Sequence, residues 1–395
     1  MTDEITVDHP VHDHPPVGDD DAVAPVHGHG DPAAAPPETP SVAVATQRRL
    51  MWWRFRKHHL AVFSGIVVIL FYLVVIFADF LAYADPYATD AERSLIPPQP
   101  IRCCEAWHPY VYPVTGSRDP VTFERVYQVD TSQKIPVSFF VHGYDYKLFG
   151  VFHTDIHLFG VEGSDDALSI LGTDPLGRDV YSRLLLATRT SLTIGLVGVA
   201  LGLVFGVIMG GISGFFGGWV DTWIQRVIEV LNSIPTIPLW LGIAAAIPKT
   251  WSVTQVFFAF SIIISFIAWT DLARVVRGRI LQVRREDFIV AAELAGSRPR
   301  RIIFVHMVPL FTSHIIAATT LAFPAMIIFE TALSFLGLGL RPPAISWGVM
   351  LQQAQNVEAL VLSPWLMVPV IPVIVVILAF NFLGDGLRDA ADPYD

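Results

Sequence analysis

The stretch that decides the fold is "TSLTIGLVGVALGLVFGVIMGGISGFFGG", Thr190–Gly218. It holds no charged residue, and it exceeds the roughly 20 apolar residues that cross a bilayer's hydrocarbon layer as a helix. Within it Gly198, Gly202, Gly206, Gly210, Gly214 and Gly218 recur at every fourth position. On a helix that spacing makes a nearly continuous groove of small residues, into which a second helix can come close. Two uses of such a groove stay open here: a gating surface along which helices slide, and static close packing.

Five further runs resemble this one: Leu60–Ala84, Val227–Pro248, Thr250–Thr270, Ile302–Phe335 and Ala359–Leu383. Backbone amides in lipid must be bonded internally, so each reads as a helix. The run Thr250–Thr270 follows Lys249 almost at once and also suits a buried hairpin, and Ile302–Phe335 is long enough to extend outside the layer. Composition agrees with a membrane protein. Of the 395 residues 53% are hydrophobic and 16% charged, against about 25% charged in soluble domains. The expected fold class is therefore an all-α integral membrane protein with about six transmembrane helices.

The net charge of −10 is divided by region. Residues from Ala84 to Gly177 are acidic, whereas Arg274, Arg277, Arg279, Arg284, Arg285, Arg298, Arg300 and Arg301 all fall between the fourth and fifth runs. Basic loops between spans mark the cytoplasmic side, a reading preferred here to nucleic-acid binding. The segment "QRRLMWWRFRKHH", Gln47–His59, adds five Lys/Arg residues and two tryptophans just before the first run. Both clusters then agree on a multi-pass protein with cytoplasmic N- and C-termini. The first run is long enough to serve as an anchor, and no cleavable signal is visible.

The expected organisation has four parts. Residues 1–46, rich in Pro, Ala, His and Asp, lack the apolar material for a core and read as a disordered cytoplasmic tail. Its His9, His12, His14, His27 and His29 suit a solvated tail or a loose metal contact. Residues 47–84 hold the interfacial segment and first span. Residues 85–180 form a small, mostly β or irregular extracytoplasmic subdomain, judged from aromatic and β-branched runs such as "VSFFVHGYDYKLFGVF" bounded by Gly and Pro. In it Cys103 and Cys104 are adjacent, open to a strained vicinal disulfide or to free thiols. Residues 181–395 hold the remaining spans.

Familiar chemistry is missing. None of the four lysines, Lys57, Lys134, Lys147 and Lys249, follows a glycine, so no phosphate-cradling GxxxxGK[ST] loop exists. No HExxH or metal-spaced Cys/His set lies in the spans. Charge inside the apolar runs is restricted to Asp79, Glu229 and Glu330 near the expected ends, fewer than an ion-coupled carrier usually needs. Glu330 reads as paired or solvated at a helix end, with a proton relay as the alternative.

One mixed stretch interrupts the apolar pattern: "REDFIVAAELAGSRPRRIIFVHMVP", Arg285–Pro309. Over residues 286–296 it predicts a short helix, with Phe288, Ala291, Ala292 and Ala295 on one face at i, i+3, i+4 and i+7. Gly296 is placed to end it. A helix this short cannot cross the membrane, but it can dock in a groove of another protein or lie at the interface.

This stretch resembles the EAA loop of ABC importer permeases, matching an alanine pair, a glycine and a later proline at Ala291, Ala292, Gly296 and Pro309; where the pattern begins with Glu the chain has Val290. "GTDPLGRDVYSRLLLATRTSL" (Gly172–Leu192), "ETALSFLGLGLRPPAISWGVML" (Glu330–Leu351) and "FNFLGDGLRDAADP" (Phe380–Pro393) are similar to the C-type second permease of oligopeptide/dipeptide ABC importers. The resemblance runs from about Gln47 to Pro393 and omits the tail and much of Asp85–Ser169.

The resemblance implies the type I permease arrangement and a place in the cell (inner) membrane. It implies a second permease subunit, two ATPase subunits that hold ATP and Mg, and an extracytoplasmic substrate-binding protein. This chain would bind no cofactor, metal or nucleic acid and would be no enzyme. Phe288, Ala291, Ala292, Glu293, Ala295, Gly296 and Arg298 would couple ATPase closure to alternating access. Relatives of this family carry oligosaccharides or nickel complexes as well as peptides, so all three cargoes stay open, with an ion-coupled transporter as the reading from another class. Asp174, Arg178 and Asp179 are expected at the outer mouth, pairing and capping a span or docking the binding protein. Trp347 is expected to anchor at the interface or to line the ligand entrance.

Overall fold

The computed structural model describes residues 47–102, 109–118, 120–121, 125–162, 168–248 and 250–391. The His-rich tail and Cys103 and Cys104 lie outside the described residues. In chain order come α1 (Gln47–Lys57), α2 (His59–Leu81), β1 (Tyr110–Val111), β2 (Val114–Arg118), β3 (Arg125–Val129), β4 (Ile135–Pro136), β5 (Ser138–Leu148) and β6 (Phe152–Gly160). Then follow α3 (Val180–Phe216), α4 (Gly218–Ser233), α5 (Thr236–Ala246), α6 (Val253–Val283), α7 (Asp287–Leu294), α8 (Pro299–Arg301), α9 (Thr312–Phe335), α10 (Trp347–Gln352), α11 (Val357–Leu362) and α12 (Val370–Ala391).

Among the described residues, five helical stretches are long and apolar enough to cross a membrane: His59–Leu81, Val180–Phe216, Val253–Val283, Pro299–Phe335 and Pro364–Ala390. The glycine row explains how α3 and α6 meet. A Cβ added at Gly202 would meet Ala268; at Gly206, Leu272; at Gly210, Ala273 and Val276; at Gly214, Ile280. Partner numbers rise together, so α3 and α6 run parallel, and the chain between them must return across the layer. It does so in two pieces, α4 and α5, parted at Ile234 and Pro235. Proline has no N–H for the helix ladder and disfavours a helical residue before it. The expected third span, Val227–Pro248, is thus a broken crossing. The closing Gly218 leaves the row: it starts α4 and has nothing within 4 Å of an added Cβ.

Other boundaries shift for local reasons. Helix α3 starts ten residues before the expected run because Asp179 caps it, accepting from the Ser182 N–H at 2.7 Å. Between α8 and α9 the helix widens to a π turn at Ile302–Met307 and tightens to a 3₁₀ turn at Val308–Phe311. Pro309 sits in that tightened turn, where an α-helical ladder could not pass through it unbroken. Helix α12 begins later than the expected Ala359, after a separate α11 and a 3₁₀ turn at Pro364–Met367.

Helices α2 and α12 cross closely, Gly65 facing Leu383 and Gly386 facing Ala61, and α12 stacks Phe380 on Phe323 of α9 at 4.6 Å. The main core joins α2, α3, α6, α9 and α12 around Leu192, Phe323, Ile327, Trp347 and Phe380. Where α2 ends and α3 begins sits the subdomain, three separate two-stranded antiparallel sheets, β1–β4, β2–β3 and β5–β6. It joins the bundle through a small core of Tyr83, Ala84, Val111, Val137, Val161 and Leu168. We call this the α2–α3 end, and the opposite one the α7 end.

Candidate coupling site

At the α7 end, α6 runs past the expected limit of Thr270 and closes with Arg284 donating its N–H to the Ile280 carbonyl. Two residues on, α7 starts with the Ile289 and Val290 N–H groups donating to the Glu286 carbonyl, and Asp287 sits in the first turn, where the helix dipole favours an anion. Inward, α7 sets fully buried Ile289 and part-buried Ala292 against Phe215, Ile280, Ile302, Ile303 and Met307. Outward it presents Phe288, Val290 and Leu294, at 47%, 42% and 84% exposure. The helix stops in a Schellman motif: Gly296 N–H donates to the Glu293 carbonyl at 2.9 Å and Ser297 N–H to the Ala292 carbonyl at 3.1 Å. That turn needs φ = +74° at Gly296, a region costly for residues with a Cβ.

The base of α7 is braced on three sides. Asp221 of α4 takes a two-pronged bond from Arg277 of α6, Nε to Oδ1 at 2.5 Å and a terminal nitrogen to Oδ2 at 2.6 Å, and a further bond from the Ser213 hydroxyl of α3. Arg279 reaches His314 of α9 at 2.5 Å, and Arg284 lies over the Phe215 ring at 5.7 Å.

The sequence-predicted face is therefore divided. Phe288, Ala291 and Ala295 are exposed, as are Glu293 and Gly296, but Ala292 turns partly into the protein's own core. Arg298 is exposed and precedes α8, its carbonyl accepting from the Arg301 and Ile302 N–H groups. Two residues escape the sequence reading, Ile289 as the root and Leu294 as the most exposed apolar group. An i, i+3 apolar pair at Ile289 and Ala292 is the sequence signal for the root; Leu294 stands outside that pair.

At the α2–α3 end the expected mouth residues are buried together. Asp174 is 1% exposed. It pairs with Arg178 at 2.7 Å, accepts from the N–H groups of Leu176 and Arg178, and lies 3.7 Å from Arg183, an ion pair without a hydrogen bond. Asp179 accepts from the Tyr83 hydroxyl at 2.6 Å and from Ser182, so it caps α3. Burial pushes the Asp179 carboxyl up to about 6, against those two hydrogen bonds, which pull it down. The same burial, with Asp179 beside it, raises Tyr83.

One expectation is corrected here. Trp347 has no exposed surface. Its indole N–H donates to Thr188 Oγ1 at 3.2 Å and its backbone N–H to Ser191 Oγ at 3.2 Å, so it neither anchors at an interface nor lines an entrance. Of the readings open for Glu330, a partnered carboxylate is the one observed and a solvated one is not: 3% exposed, it accepts from Ser191 of α3 and Ser334 of α9, each at 2.9 Å. Of the other charges in the apolar runs, Asp79 pairs with Arg189 at 2.8 Å and Glu229 with Arg226 at 2.7 Å. A cavity of about 420 Å³ opens between α3, α6 and α9, walled by Gly202, Ala268, Leu272, Ala322 and Phe329, with Asp271 on its lining. Among the described residues no group of three His, Cys, Asp or Glu could hold a metal ion.

Comparison with known proteins agrees with this architecture. The family described as "Binding-protein-dependent transport system inner membrane component" matches residues 202–394, and "N-terminal TM domain of oligopeptide transport permease C" matches residues 46–98. The oligopeptide transport system permease protein OppC of Salmonella typhimurium is 41% identical over 225 residues, 57% of this chain and 72% of that protein. OppC of Bacillus subtilis is 36% identical over 223 residues, 56% and 70% of the two chains. OppC of Haemophilus influenzae is 35% identical over 243 residues, 61% and 76%. A membrane bundle with a short, core-rooted helix at one end and matches of this extent have one common reading: the chain belongs to the family of inner-membrane permease components of binding-protein-dependent ABC importers, in its C-type oligopeptide branch.

Proposed function

We propose that α7 is where a partner ATPase grips this permease, and that the cargo is an oligopeptide or dipeptide. The chain is a permease subunit and not an enzyme; ATP is hydrolysed by a separate subunit. One observation carries the placement of the contact. Leu294, 84% exposed beside Phe288, stands on a two-turn helix whose other side is rooted in the bundle through Ile289. Solvent-exposed leucine at the end of a firmly held helix is what a hydrophobic groove accepts.

Sidedness follows from charge. Gln47–Lys57, with five Lys/Arg, and the arginine-rich residues around α7 lie at one end of the bundle, since α2 runs back from that end to the start of α3. The positive-inside rule makes it cytoplasmic, facing the ATPases, with the β-subdomain facing the binding protein outside. Both ends of the described chain, α1 and the close of α12, are then cytoplasmic in the cell's inner membrane. The peptide cargo rests on the names of the relatives. A second permease subunit would close the cavity between α3, α6 and α9 into a path.

The mechanism is mechanical. When nucleotide draws two ATPases together, α7 moves with its groove. The Ile289 contact and the Arg277–Asp221 clamp pass that motion to α6 and α4, and Arg279–His314 passes it to α9. The glycine contacts make α3 move with α6. Alternating access then needs two states that nucleotide and binding protein bias in opposite senses.

The test is a Leu294→Asp variant co-expressed with the second permease and both ATPases. Retention of the ATPases on affinity purification should weaken by roughly 30-fold or more, the scale of one hot-spot contact of about 2 kcal/mol. Undiminished retention together with normal uptake places the grip elsewhere.

A further inference from the structure

Between the two family matches lies the β5–β6 hairpin, whose apolar surface the coupling mechanism does not use. A strand with one face in water alternates polar and apolar residues. Here Phe139 and Phe140 follow one another, each 65% exposed, and the turn adds Phe149, Val151 and Phe152 at 56%, 70% and 65%. Contiguous apolar surface of this kind marks a contact with something other than water.

Contacts with α2 fix the height of this patch. The Phe149 ring meets Phe77 edge-on at 5.8 Å, and Phe140 lies 6.3 Å from Phe80. Buried His157 of β6 sets its Nδ1 3.0 Å from the Asp79 carbonyl oxygen, locking the hairpin to the helix. Phe77 precedes the end of α2 at Leu81 by four residues, so the hairpin turn sits about 6 Å inside the helix end at 1.5 Å per residue. The patch also continues the exposed side of α2, where Leu70, Leu73 and Ile76 are 55%, 44% and 45% exposed, the side a spanning helix turns to lipid. Beside the turn, exposed Lys147 stands opposite exposed His153 in the strand register. Such groups suit the headgroup layer above a buried apolar tip.

We infer that the β5–β6 hairpin lies on the membrane, its Phe149–Phe152 turn dipping among phospholipid tails next to the end of α2. The inference rests on α2 spanning a bilayer and is independent of the cargo and of the ATPase contact. The hairpin is a second, non-spanning lipid anchor that sets the height of the whole subdomain above the membrane.

The test uses the full importer complex in nanodiscs of phosphatidylethanolamine and phosphatidylglycerol. Cys103 and Cys104 are replaced by serine and a single nitroxide is placed at Phe152→Cys, with Ile69→Cys as the lipid control and Ser132→Cys as the water control. Relative accessibility to oxygen over a soluble nickel chelate should be several-fold higher at position 152 than at 132, close to that at 69. A bimane on the same cysteine should be quenched by lipids brominated on their tails. Position 152 behaving like 132 with no quenching overturns the inference. So does a label closed to both oxygen and nickel, which would mean that the second permease or the binding protein covers the patch.

Discussion

The two ends of α3 each carry a charged motif, and they are built in opposite ways. At its start, "TDPLGRD" folds into a buried cluster in which Asp174, Arg178, Asp179 and Arg183 are all at most 6% exposed. At its other end, "REDFIVAAELAGSRPRR" leaves its charges at the surface and exposes Leu294 and Phe288 among them. Charge density along the chain therefore says little about surface. What separates the ends is how completely each charge is answered within the chain. The first end is closed within its own chain; the second leaves Phe288 and Leu294 in the open.

The comparison breaks most visibly at Asp174. In Asp174→Ala the buried Arg178 and Arg183 lose their shared carboxylate, and two backbone N–H groups lose an acceptor. Removing one partner of a buried ionic cluster typically costs about 3–5 kcal/mol. Thermal unfolding in detergent, followed by tryptophan fluorescence, should show a large fall in midpoint. An unchanged midpoint would return this motif to the surface and revive the docking reading.

Next in size is a pH effect at Asp179. Its carboxyl is raised from an ordinary 3.8 to about 6 by burial. At low pH both folded and unfolded chains hold the proton, and the site carries no penalty. As pH rises through the window between these values, the unfolded chain releases its proton first, so stability falls, levelling off above the folded value at a loss of about 3 kcal/mol. Asp179→Asn, which cannot ionise, should flatten this part of the curve of stability against pH. An equal slope in both variant and parent would assign the effect elsewhere.

How much of this could be read from residues alone differs between the ends. The spans, the alternation of acidic and basic segments and the existence of α7 followed from apolar length, arginine position and the Gly296 stop. The capping role of Asp179 was one of two open readings, because the same residues suit a mouth or a cap until Tyr83, 96 residues away, is seen to donate to it. Trp347 misled for a physical reason: an indole with a free N–H belongs at a membrane interface unless a buried acceptor exists, and its acceptor Thr188 is 159 positions away. The face of α7 was half legible. Two turns hold too few residues for periodicity to choose a side, and the choice falls to Ile302, Ile303 and Met307, which lie beyond the helix. The break between α4 and α5 was signalled by Pro235, but only the parallel course of α3 and α6 shows that the two pieces make one crossing.

A smaller effect is expected between the two ends, at Gly210. A Cβ there would stand 2.5 Å from the Ala273 carbonyl oxygen, closer than real Cβ contacts allow, so Gly210→Ala must push α3 from α6. Overpacking of this kind costs about 1–3 kcal/mol. Backbone meets backbone here, the close approach that a row of small residues permits. If Gly210→Ala leaves both the midpoint and transport unchanged, α3 and α6 are a loose pair and force from α7 does not reach α3 by this route.

The smallest expected change in stability is the most discriminating. Leu294 is 84% exposed, and its side chain adds little to the core that Ile289 and Ala292 serve from the opposite side of α7. Leu294→Asp should therefore move the unfolding free energy of the isolated permease by no more than about 0.5 kcal/mol, the usual range for surface positions, while Ile289→Asp should unfold the same region. If Leu294→Asp lowered the midpoint as far as Asp174→Ala does, the two ends would be alike, each closed within its own chain. α7 would then be one more piece of the bundle, and no surface would remain there for a motor to hold.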